Sequence, residues 1–180
     1  MPPDTRKQTS QPPRGSPNAI GDPLEFLRNE TYRLRDVVTV LERVINGEGR
    51  ADEIVSSCEF LSVSLPLHLF DMRSDLAILL EGASKPSDNV GRVFEEMASI
   101  EKDVRAKGGK VVAALLKHIG RDPAKGPTPA TGRITNEFVI LLRRLSAIES
   151  GILLPLSRVR LGSDELEELG RRMKSRRGFA

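Results

Sequence analysis

Cysteine, histidine and the large aromatics are nearly missing from this chain, and each shortage closes a route. With one cysteine, Cys58, there is no internal disulfide, and its place in a strongly periodic segment reads as a buried, inert thiol. No tryptophan and a single tyrosine leave almost no stacking platform for single-stranded nucleic acid. There is no apolar run of about 18 residues and no N-terminal apolar leader, so no membrane span and no secretory signal are expected, and the reading is a cytoplasmic protein. No glycine-rich phosphate loop, nucleophile elbow or cysteine–histidine arrangement appears, and the expectation is a protein that is not an enzyme. Strand-like alternation of useful length is absent as well.

What remains is helical rhythm. The 180 residues, 38% of them hydrophobic, suffice for one well-buried domain. Residues 1–21, "MPPDTRKQTSQPPRGSPNAIG", are too polar and too rich in proline to offset the entropy of ordering, and a disordered tail is expected there. The domain is assigned to 22–180. Leu24, Leu27, Thr31, Leu34, Val38, Leu41 and Ile45 recur at steps of three and four, with Asp22 and Pro23 as start signals and Gly47 as the stop. A second stripe follows through Ile54, Cys58, Leu61, Leu65, His68, Met72, Asp75 and Leu79, with a kink expected at Pro66, just before His68. A third helix is read from Asp88 to Ile119, weakened in its middle by Gly108 and Gly109. The loop "GRDPAKGPTPATG" comes next, then a fourth helix from Ile134 to Val159 burying Phe138, Leu142, Leu145, Glu149, Ile152 and Leu156, with Pro155 kinking its end. A short fifth helix begins at Ser163 or Asp164, either of which can cap it, and carries Leu166, Leu169 and Met173. Four long stripes joined by moderate connections describe an all-α, antiparallel four-helix bundle with a short fifth helix.

The net charge is only +3, yet Arg171, Arg172, Lys174, Arg176 and Arg177 crowd the end of the chain. They read as a solvated helix end suited to the helix dipole, and as candidates for surface contact. His118, near the end of the third helix, reads as another such dipole partner. Nucleic acid is a poor match for want of aromatics.

Three stripes carry a polar residue where an apolar one would pack better: Thr31, His68 and Glu149. The positions one helical turn away that a metal pair would use hold Met72 and Leu145, neither a useful hard-metal ligand. Three stretches, "DPLEFLRNETYRLRDVVTVLERV", "FLSVSLPLHLFDMRSDLAILL" and "AIESGILLPLSRVRLGSDELEELGRRMKSRRG", resemble bacterial hemerythrin-like (HHE cation-binding) proteins over residues 22–177. The resemblance implies a four-helix bundle and a di-iron centre that binds or responds to oxygen. Its ligands would be a histidine in the first helix, a His-x-x-x-Glu pair in the second, a histidine in the third and a second such pair in the fourth. On this chain those positions fall at Thr31, His68 with Met72, Ile100, and Leu145 with Glu149. Two ligand types survive, so no metal or other cofactor is expected, and His68 and Glu149 are expected to face each other as a buried hydrogen-bonded pair that includes Thr31. The resulting expectation is a non-catalytic bundle with a regulatory or protein-interaction role, with a protein partner or a homodimer through an exposed apolar stripe. The competing expectation is a residual metal-binding or oxygen-responsive protein using His68, Glu149 and Asp71 or Asp75.

Overall fold

A computed structural model describes residues 20–121 and 126–179. The tail expected over 1–21 therefore lies outside the described residues except for its last two positions, and Ile20 corrects that boundary: it is buried in the core. Within the described residues the chain is helical, with no strand.

Helix α1 spans Pro23–Ile45. The Asp22 side chain accepts from the Leu24 and Glu25 amides at 2.9 and 3.1 Å, which satisfies two of the donors that a helix start leaves open. Helix α2 occupies 51–83 but is not α-helical throughout. Two π turns, Phe60–Ser64 and Asp71–Leu76, interrupt it. Helix α3 is Val90–Ile119, entered through Asn89 in the left-handed conformation, and it runs unbroken through Gly108 and Gly109. Helix α4 occupies 129–160, interrupted by the π turn Glu149–Leu153, and α5 is Ser163–Arg176.

Both kink prolines sit two residues past the end of a π turn, Pro66 after Phe60–Ser64 and Pro155 after Glu149–Leu153. A proline lacks the amide that would close an α-turn and collides with the carbonyl four residues back. That carbonyl belongs to Ser62 or Gly151, inside the π turn, where the wider winding relieves the clash. The same turns move the buried stripes by one residue. From the end of Asp71–Leu76 onward the fully buried positions are Leu76 and Leu80, with the expected Leu79 only partly buried. Beyond Glu149 the buried apolar residues of α4 are Leu153 and Leu154, while the expected Ile152 is 43% exposed and Leu156 is only partly buried.

One helix start and one cap also differ from expectation. Helix α4 begins at Pro129, not Ile134, because Thr128 caps it by accepting the Thr131 amide at 3.1 Å and Pro129 needs no donor in the first turn. Helix α5 is capped from inside: Glu165 accepts the Gly162 amide at 2.9 Å, while neither Ser163 nor Asp164 serves as the cap.

Helix α1 lies against α4 and α2, and α3 lies against α4 and α2. Leu27, Leu34, Leu41, Leu69, Met97, Leu115, Phe138 and Leu142 fill the space between them. Helix α5 folds back onto α1 and the second π turn of α2, burying Leu169 and Met173.

Candidate functional site

The three polar exceptions meet. His68 lies in the α-helical stretch Leu65–Phe70 between the two π turns of α2, and Glu149 opens the π turn of α4. His68 Nε2 is 3.0 Å from Glu149 Oε1, and neither side chain has exposed surface. On the other side Thr31 Oγ1 is 2.8 Å from Glu149 Oε2 and 3.0 Å from the Leu27 carbonyl, its one proton lying between those two acceptors. Each oxygen of this deeply buried carboxylate therefore has a hydrogen-bonding neighbour, which offsets part of its desolvation. Burial alone would make His68 hard to protonate, but the Glu149 carboxylate, helped by Glu30 and Asp71, outweighs it and raises the imidazole above its ordinary value.

The other family-derived positions are apolar wall. Met72, Ile100 and Leu145 are all buried in the core. His68 and Glu149 are the only ligand types at the six positions, and they are bonded to each other. Among the described residues no group of three or more His, Cys, Asp or Glu side chains is arranged to hold a metal ion. The donor set does not fit a two-iron centre, since each iron requires several donors.

Glu30, Glu101 and Asp71 are buried although none lies on an expected stripe. Glu101 on α3 has a fully buried carboxylate with no hydrogen-bond partner among the described residues; Arg73 and Arg105 approach only to 3.8 and 3.9 Å. Burial pushes it up to about 7 against the pull of those arginines, and the neighbouring Glu149 charge adds to the rise. The sequence did carry a signal: Glu101 follows Met97 by four residues and precedes Val104 by three, which places it on the buried face.

Asp71, which lies off the second stripe, and Asp75, which lies on it, are both buried, and their partners correct the reading of the basic chain end. Arg176 bonds Asp71 and reaches Asp75 Oδ2 at 2.6 Å, while Arg177 Nη2 bonds the other oxygen of Asp71 at 2.5 Å. The Arg176 guanidinium lies 4.0 Å from the Phe70 ring centroid, and Arg177 lies 4.8 Å from that of Phe26. These two arginines are held against the fold by buried acids rather than standing free on a solvated helix end. Arg171 and Arg172 both pair with Glu168, Arg171 remaining well exposed, and Lys174 is half-buried. Burial raises Asp71 above the usual carboxylate range while Arg177 and Arg176 pull it down.

Cys58 is buried, and burial pushes its thiol up, away from the reactive thiolate. No described helix is long and apolar enough to cross a membrane. Compared with known proteins, the chain matches no family model, no curated protein and no solved structure.

Proposed function

We propose that the chain is a hemerythrin-like four-helix bundle in which a hydrogen-bonded core couple stands where the family holds iron, and that it serves a non-catalytic, regulatory or scaffolding role through contact with a protein partner. The observation that carries this reading is the His68–Glu149 bond, closed off by Thr31 and surrounded by Met72, Ile100 and Leu145. The packing of α1 and of α3 each against both α2 and α4 supports the bundle reading. With no exposed surface, His68 and Glu149 touch no solute while the helices stay together, so function passes to the outside of the molecule. The alternative, a residual metal or oxygen-responsive site, loses two of its donors because Asp71 and Asp75 are held by Arg176 and Arg177. For nucleic acid the same arginines would have to leave these buried acids.

Elemental analysis by plasma mass spectrometry, with a visible spectrum in air, tests the core of the proposal after expression in iron- and zinc-supplemented medium. A metal-free, colourless and fully helical protein is the expected result; near-stoichiometric iron with an oxo-bridge band would overturn it. The interaction role is tested by crosslinking in the native cell extract, and recovery of the chain alone would count against it.

A further inference from the structure

Between α1 and the end of α4 the surface opens into a cleft of about 420 Å³. Arg28 and Arg35 project into it from α1, two turns apart on one face, and Arg158 faces them from α4. Guanidinium groups repel when they converge, and here the acid that pairs with them is Glu25, 2.5 Å from Arg28 and 3.5 Å from Arg158. Arg35 instead donates to the neutral Ser150 hydroxyl at 2.5 Å. The cleft therefore carries excess positive charge. The guanidinium carbons of Arg28 and Arg35 lie 6.0 and 5.9 Å from the Tyr32 ring centroid, and Leu154 and Pro155 also line the cleft.

Planar forks of donors match phosphate oxygens, and an oxyanion among three guanidiniums removes their mutual repulsion. The volume falls in the range of small-molecule sites, and the apolar side gives an organic group somewhere to lie. We propose that this cleft binds the phosphoryl group of a small phosphate ester or diphosphate. Arg28, Arg35 and Arg158 grip the oxygens, and Tyr32, Leu154 and Pro155 flank the remainder. The floor is Thr31, whose hydroxyl bonds Glu149, so an occupant lies one side chain away from the buried His68–Glu149 couple.

Tyr32 is the chain's sole tyrosine, and tryptophan is absent, so its emission reports on the cleft alone. Full-length protein is titrated with inorganic pyrophosphate and with glycerol phosphate, against sodium chloride of equal ionic strength, following Tyr32 emission and the thermal unfolding midpoint. A saturable response to the phosphates but not to chloride is expected. Affinity should weaken by about tenfold or more in Arg35→Met/Arg158→Met. It should be unchanged in Arg171→Met, an exposed arginine outside the cleft. Circular dichroism verifies that each variant is folded, and Arg158→Met alone replaces the double variant if that one is not. The proposal falls if neither readout saturates, if the cleft variant binds as well as the wild type, or if Arg171→Met loses as much.

Discussion

His68 on α2 and Glu149 on α4 are hydrogen-bonded at 3.0 Å, with no exposed surface on either side chain. Removing one partner strands the other. We expect His68→Leu to cost about 3–5 kcal/mol, because the Glu149 charge is then left with the Thr31 hydroxyl alone. Glu149→Leu should cost less, about 1–3 kcal/mol, since His68 can go neutral. The double variant His68→Leu/Glu149→Leu removes both polar groups and should fall well short of the sum of the single losses, as read from urea unfolding of all four proteins. Simple additivity would show that the two residues do not act as a couple.

Glu101 sets a pH dependence of definite sign. Its carboxyl sits at about 7 in the folded protein against an ordinary 4.5, so the native state holds a proton that the unfolded chain has released. Stability from this group is present in full below the ordinary value and is lost as pH rises through the folded value. His68, also raised, acts in the same direction: its contribution is lost as pH rises through its folded value. Glu101→Gln keeps the shape but cannot ionise. Relative to the wild type it should gain about 1–3 kcal/mol between about pH 5 and about pH 8. Urea unfolding of both proteins at the two pH values measures this, and parallel curves would mean that Glu101 is solvated.

Periodicity reveals what is local and periodic. The span of α1 follows from Asp22, its three-and-four stripe and Gly47, and Thr31, His68 and Glu149 stand out as polar interruptions in largely apolar stripes. The π turns escape such reading because a window of fixed period cannot register a single wider turn, which is why Ile152 and Leu79 were placed inside where Leu153 and Leu80 belong. Pro66 and Pro155 mark where the winding changes, but not how. The burial of Asp71 is hidden for another reason: Arg176 and Arg177 lie 105 and 106 positions away, and no local pattern connects them.

Gly109 in α3 offers an independent test of the unbroken helix. A Cβ built there meets nothing within 4 Å, and its backbone is helical, so the side chain is neither crowded nor strained. Glycine leaves an exposed helical position with excess unfolded-state freedom. Gly109→Ala should stabilise the protein by about 0.5–1 kcal/mol, visible as a higher urea midpoint. A loss would indicate that the helix bends at this point.

The clamp between α5 and α2 separates two arginines that look alike in sequence. Arg176 donates to buried Asp71 and Asp75 and lies over Phe70, whereas Arg171 meets Glu168 within its own helix and stays 73% exposed. Breaking a buried ion pair leaves a charge without compensation, but Arg177 still holds one oxygen of Asp71. We therefore expect Arg176→Ala to cost about 2–4 kcal/mol, and Arg171→Ala less than about 0.5 kcal/mol. Arg176→Lys should recover little, since one ammonium group cannot reproduce a planar fork that spans two carboxylates. Screening by molar salt should leave most of the difference in place, because the acids are out of contact with solvent. If Arg176→Ala and Arg171→Ala unfold at the same urea concentration, the basic end of the chain is a solvated surface after all, and the arginines become available to a partner.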